Sequence, residues 1–162
     1  MTSNSQPKTV GELRASGYEV LPIRQELRRN LIAKIKAGEE LFPGIVGFDD
    51  SVIPQLENAI LAGQDIILLG ERGQAKSRLI RGMTSLMDDE VPIIAGCELN
   101  DDPYNPICKP CKMKIEDDGD DVPIRWIGRK ERYAEKLATP DVTVADLIGE
   151  IDPIKVAEGR YL

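Results

Sequence analysis

The run Ile66-Ile67-Leu68-Leu69-Gly70-Glu71-Arg72-Gly73-Gln74-Ala75-Lys76-Ser77 decides the fold class. Its consecutive apolar residues read as a buried strand. A glycine-bearing turn follows, and Lys76-Ser77 opens a segment, 78–87, that reads as a helix. Strand, turn and Lys-Ser at a helix start form the context of a phosphate loop, G-x-x-x-x-G-K-[ST]. Ala75 stands where the pattern has its second glycine. Successive N–H groups in such a turn make a concave nest for anionic oxygens. The helix start adds unpaired N–H groups and the positive end of its dipole. Lys76 then supplies a point charge to the outer phosphates, and Ser77 gives its hydroxyl to a Mg²⁺ bridging them. Gly70 and Gly73 permit backbone angles that a side chain would block. A positive φ at Ala75 would cost about 1 kcal/mol. Phosphate contacts are thus expected at Gly70, Glu71, Arg72, Gly73, Gln74, Ala75, Lys76 and Ser77, with Ser77 also the Mg²⁺ ligand. The bland alternative is an ordinary strand–turn–helix joint that carries a lysine by chance.

The whole chain sets the frame for that loop. Its 162 residues suffice for one domain with a real core. A net charge of −7 argues against a sequence-independent nucleic-acid binder. No run approaches the ~18 apolar residues of a membrane span. The start, Met1 to Lys8, is polar and lacks a signal peptide's apolar stretch. Three cysteines and no histidine argue against a secreted disulfide framework. A cytoplasmic protein without membrane or nucleic-acid partners fits these features.

Outward from the loop, the chain punctuates itself with glycine. Residues 1–8 read as a disordered tail. Thr9-Val10-Gly11-Glu12 has the form of a capping box, and Gly17 would end the short helix it starts. Leu27, Leu31, Ile32 and Ile35 repeat at helical spacing before Gly38. Arg24, Arg28, Arg29, Lys34 and Lys36 make that helix basic, either as a docking surface or as a solvated face, the latter being favoured. A loop at 42–48 precedes a helix carrying Ile53, Leu56 and Ile60, closed by Gly63. Beyond the phosphate loop, 91–96 reads as a second strand, implying a parallel βαβ unit with a right-handed crossover. Residues 97–121 read as a loop rich in Cys, Pro and Asp, ending in an acidic, solvated turn at 116–121. Residues 122–127 alternate like a short strand. Residues 129–137 are charged and weakly helical, and Thr143 caps a short helix.

Cys97 and the pair Cys108-Lys109-Pro110-Cys111 leave several readings open: inert loop thiols, redox chemistry or a structural zinc. Zinc would take the three thiolates and a carboxylate such as Asp101 or Asp102 as fourth ligand. A redox pair would want its first cysteine at a helix N-terminus just after a strand, and this pair reads as sitting in a proline-rich loop.

The flanks narrow the choice among nucleotide-binding families. Phe42-Pro43-Gly44-Ile45-Val46-Gly47, then a helix, a strand and the loop, resembles the opening of AAA+ ATPases related to the magnesium-chelatase I subunit and MoxR-type proteins. The segment 146–159, Asp-Leu-Ile-Gly-Glu-Ile-Asp-Pro-Ile-Lys-Val-Ala-Glu-Gly, is similar to the chelatase family's approach to its helix-2 insert. The resemblance runs from Leu41 to the end of the chain. It implies base contacts from Val46 and Gly47. It also tolerates Ala75, since MoxR-type relatives often carry alanine before the loop lysine. A homo-oligomeric ring would remodel or metallate a partner, often one with a von Willebrand A domain.

The same resemblance implies a Walker B Asp-Glu pair beyond Leu162. Glu71 and Glu98 are weak substitutes for it, so no catalytic residue is assigned. The expectation is an α/β P-loop fold with a three-layer arrangement and a parallel sheet, incomplete at this length. Residues 1–40 would form a tail with amphipathic helices, and 41–162 a partial nucleotide-binding domain. Such a chain would bind Mg-ATP and hydrolyse it near background. A non-catalytic module docking to full-length ring subunits is the rival, and a small P-loop kinase is a third reading for which no lid is assignable.

Overall fold

The computed structural model describes residues 6–137 and 139–157. In chain order the elements are α1 (Val10–Ala15), α2 (Ile23–Ala37), α3 (Val52–Leu61), α4 (Lys76–Gly82), β1 (Glu90–Ile94), α5 (Lys109–Asp118), β2 (Ile124–Gly128), α6 (Arg129–Arg132), α7 (Val144–Ile148) and α8 (Pro153–Ala157). Short 3₁₀ turns follow α4 at Met83–Leu86 and α5 at Gly119–Asp121. By contact the chain forms two compact units. One is contiguous, Leu21–Asp89, and the other joins Met1–Val20 to Glu90–Leu162. α1 lies in the discontinuous unit and α2 in the contiguous one. No helix among the described residues is long and apolar enough to cross a membrane.

The contiguous unit is helical. Leu31 of α2, Leu56 and Ile60 of α3, and Leu79 of α4 share a core with Leu41, Phe42, Ile45 and Leu86. The helical spacing seen in the sequence is what brings these side chains onto inward faces. Gly38 ends α2 at φ 67°, a left-handed angle that glycine adopts without steric cost. Pro54 falls in the first turn of α3, where its missing N–H is harmless. Glu26 is 2% exposed, and its Oε1 accepts the N–H of Asp88 at 2.6 Å. Asn30 Nδ2 donates to Leu86 O at 2.9 Å and to Asp88 Oδ1 at 2.8 Å, while Arg29 pairs with Asp88. These bonds seat the end of the 3₁₀ turn on α2. Other basic side chains of α2 are also engaged within the unit: Arg24 with Asp65 at 2.9 Å and Lys34 with Glu39 at 2.8 Å.

The sheet differs from the expected one. It has two strands, β1 and β2, paired antiparallel with Val91 opposite Ile127 and Ile94 opposite Ile124. The parallel βαβ unit is not formed among the described residues. Ile94 and Ile124 are neighbours in this register, and both enter one core with Val10, Leu13, Cys111 and Val122. Each strand thereby finds a backbone partner inside its own unit. Residues 66–69 are not hydrogen-bonded into a sheet. They keep a strand-like alternation: Ile66 and Leu68 pack on the core, whereas Ile67 and Leu69 are 83% and 90% exposed.

In the discontinuous unit the N-terminal segment is part of the fold. Val10 N–H donates to Val122 O at 3.0 Å, and Ile124 N–H to Lys8 O at 2.9 Å. The Trp126 indole N–H donates to Pro7 O at 2.9 Å. The expected tail is therefore paired at residues 6–8, and residues 1–5 lie outside those described. Thr9 caps α1 by accepting the Glu12 N–H at 3.3 Å, as its motif predicts. The largest correction lies at 109–118, expected as loop and acidic turn but folded as α5. The acidic residues after it are held against α1, where Arg14 pairs with Asp120. A Cβ on Gly11 would sit 2.8 Å from Asp120 Cβ, so glycine lets the two segments approach. Thr143 caps α7 through a reciprocal bond with Asp146, as expected. Of the segment 146–159, residues 158 and 159 lie outside those described.

Candidate functional site

The candidate residues fall in two clusters. The first is the loop 70–77. Gly70, Gly73 and Ala75 all have positive φ, at 155°, 84° and 52°. Ala75 is the N-cap of α4 in the left-handed region, so the alanine accepts the angle that glycine would take without strain. A Cβ at Gly70 would lie 2.1 Å from Gln74 Oε1, so the loop closes tightly over that position. Lys76 folds back across the turn. Its Nζ donates to Gly70 O at 2.7 Å and also to Glu71 O. Ser77 sits in the first turn of α4, and the loop from Gly70 to Gln74 is exposed. The structure thus gathers Gly70, Glu71, Arg72, Gly73, Gln74, Ala75, Lys76 and Ser77 into one turn with the lysine ammonium over it.

Val46 and Gly47 lie in the loop that leads to α3. Their neighbour Ile45 is buried beside Leu79 of α4 in the shared core, and Gly44 lies against the Arg78 guanidinium. Val46 itself is 86% exposed. A cavity of about 280 Å³ runs along this loop, lined by Leu41, Phe42, Ile45 and Ile53 and by the carboxylates Glu39, Glu40, Asp49 and Glu57. Its lining includes neither Val46, Gly47 nor residues 70–77. Of the carboxylates weighed as substitutes, Glu71 sits in the exposed loop and Glu98 lines the cysteine cavity.

The second cluster is Cys97, Asp101, Cys108 and Cys111, whose donor atoms all lie within 4.8 Å of one another. Cys97 follows the end of β1. Cys108 is the N-cap of α5 and Cys111 lies in its first turn. The expectation that this pair sits in an irregular loop is corrected here. Pro110 near the helix start was the available sequence signal, because proline is favoured there. Cys97 Sγ and Cys108 Sγ are 3.9 Å apart, and all three cysteines are free thiols. Asp101 is 4% exposed. Its Oδ2 accepts the N–H of Ile107 at 3.2 Å and of Cys108 at 3.0 Å. Its own N–H donates to Cys97 Sγ at 3.4 Å. Asp102 instead accepts the Tyr104 N–H at 2.8 Å in a local turn. A cavity of about 280 Å³, lined in part by Cys97, Cys108, Cys111 and Lys114, opens beside the cluster.

The thiols are electrostatically unequal. Burial pushes Cys97 up, but the N–H groups of Asp101 and Leu99 and the Cys111 side chain together bring it below its ordinary value. Burial pushes Cys108 and Cys111 up, helped by Asp101 for the first and by the neighbouring thiols for the second. Crowded groups that each become negative on losing a proton oppose one another's ionisation, and a divalent cation reverses that opposition.

Part of the chain is similar to a curated protein, "Magnesium-chelatase subunit ChlI homolog" of Methanocaldococcus jannaschii (strain ATCC 43067 / DSM 2661 / JAL-1 / JCM 10045 / NBRC 100440), with 36% identity over 76 residues. The alignment takes in 45% of this chain and 20% of that protein, so the match spans about a fifth of the relative's length. No protein-family model matches the chain. No solved structure matches it.

Proposed function

We propose that residues 70–77 bind the phosphates of Mg-ATP and that the chain is a nucleotide-binding segment of an AAA+ ATPase of the magnesium-chelatase type. The observation that carries this reading is the Lys76 ammonium held over a turn whose glycines and Ala75 have positive φ. Lys76 exchanges its loop carbonyls for outer phosphate oxygens, and the loop N–H groups hold the remaining anionic oxygens. Ser77 gives its hydroxyl to Mg²⁺, which neutralises phosphate charge. Val46 and Gly47 contact the base. The match spans a fifth of its relative, so ring assembly, hydrolysis and action on a client are not carried over from it.

The test is calorimetry with Mg-ATP and Mg-ADP on the wild type and on Lys76→Ala. Micromolar binding is expected. Losing a charge-assisted bond worth about 1.5–3 kcal/mol weakens it roughly 10- to 150-fold. A folded wild type that binds neither nucleotide overturns the reading. The docking-module reading would then lead, because Ile67 and Leu69 offer an exposed apolar face. Turnover by this chain at ordinary AAA+ rates, lost in Lys76→Ala, would overturn the expectation of near-background hydrolysis.

A further inference from the structure

We propose that Cys97, Cys108, Cys111 and Asp101 are the complete ligand set of a structural zinc ion that fixes the segment between β1 and α5. Zinc–sulfur bonds of about 2.3 Å at tetrahedral angles place neighbouring sulfurs ~3.8 Å apart. The Cys97–Cys108 separation of 3.9 Å matches that edge. It is nearly twice a disulfide's length of about 2.05 Å, so the pair is spaced for a shared ion rather than a bond. Donor atoms confined within 4.8 Å suit a single ion, whereas a cluster of several irons would hold them further apart. Three sulfurs exclude the hard cations: calcium and magnesium take oxygen ligands. Sulfur-rich tetrahedral coordination selects zinc.

Asp101, not Asp102, is the fourth ligand. Its carboxylate is buried, and its Oδ2 is held by the N–H groups of Ile107 and Cys108, on the segment that carries a ligating sulfur. Outer bonds of this kind orient a ligand toward its metal. Asp102 spends its Oδ1 on the Tyr104 N–H. Four protein donors leave no position for water, which marks the ion as structural rather than catalytic. Three thiolates, a carboxylate and Zn²⁺ leave a net negative site. Lys114, which lines the same cavity and donates to Ala95 O at 3.2 Å, stands beside it. The ion would tie the turn after β1 to the start of α5 through Cys111, a core residue beside Val10, Leu13 and Ile94.

The test uses the full chain, purified under reducing conditions and titrated with zinc. Elemental analysis should give one zinc per chain. Competition with a chromophoric chelator should show at least about a tenfold weaker site in Cys97→Ser and in Asp101→Ala, and an unchanged one in Asp102→Ala. Cobalt(II) added to the metal-free wild type should produce thiolate-to-cobalt absorption and intense visible bands, which needs no variant to fold. The proposal is overturned if the folded, reduced wild type takes up no zinc, holds iron instead, or gives no thiolate–cobalt band. A Cys97–Cys108 disulfide in protein handled with reductant would also overturn it. Equal losses in Asp101→Ala and Asp102→Ala would overturn the choice of ligand.

Discussion

The loop at 70–77 and the cysteine cluster are built on opposite principles. The loop presents consecutive backbone groups on an exposed turn, so its spacing along the chain is already its spacing in space. The cluster gathers side chains from Cys97 to Cys111 that meet only after α5 has formed. A backbone site can therefore be read from a local pattern, while a side-chain site needs the fold around it. The loop should tolerate changes in its surroundings that leave the turn intact. The cluster should be sensitive to the packing of its core.

The largest test of that contrast is a pair of core truncations. Leu13→Ala and Leu31→Ala remove fully buried side chains from different clusters, and each should cost about 2–5 kcal/mol. Leu13 lies in the same core as Cys111, so its loss should speed alkylation of the cysteines, and Leu31→Ala should not. Equal acceleration, read by mass spectrometry, would break the contrast. Next is Glu26→Ala. It leaves the part-buried Asp88 N–H without its carboxylate and should cost about 1–3 kcal/mol. Urea unfolding followed by amide exchange over 21–89 measures it, and a neutral result would mean that the 3₁₀ turn is not anchored by that bond. A smaller effect of opposite sign is expected from Ala75→Gly. Relief of the left-handed alanine, less the added freedom of glycine in the unfolded chain, should stabilise by about 0.5–1 kcal/mol. Destabilisation would show that the alanine methyl packs usefully.

The smallest expected effect is a pH dependence at α7. The Thr143 N–H and hydroxyl, then Lys136, hold the Asp146 carboxyl below its usual range. Because the folded value lies below the unfolded one, the cap is favoured throughout the range above the unfolded carboxylate pKa. That preference is lost as pH falls through the lowered value. The Thr143 amide resonance should move with that titration, and an amide shift unresponsive below neutral pH would remove the bond's role.

Legibility followed the range of the cause. Thr9, Gly38 and Thr143 announced helix ends because capping is settled within a few residues. The turn at 70–77 announced itself for the same reason. Strand pairing did not. Residues 91–94 were recognisable as extended, but their partner was fixed by Ile94 and Ile124 meeting in one core, which no local pattern states. α5 was hidden because its residues, Lys109 to Asp118, lack a clear apolar stripe, and its N-terminal proline resembled the loop residues before it. Asp101 could not be told from Asp102 until one was seen buried against the Cys108 N–H and the other turned to Tyr104. Residues 66–69 show the converse: their consecutive apolar run predicts a buried strand, and the structure leaves them outside the sheet with Ile67 and Leu69 exposed.

The pairing of Val10 with Val122 and of Lys8 with Ile124 sets an order of events during synthesis. Residues 21–89 are continuous, so their core can assemble as soon as they clear the ribosome. Residues 6–20 must wait, since the edge they join is made a hundred residues later. Closing a loop of that length costs roughly 4 kcal/mol of chain entropy, recovered only once β2 has emerged. Until then the Pro7 carbonyl has no Trp126 indole N–H to accept, and α1 has no surface to cover.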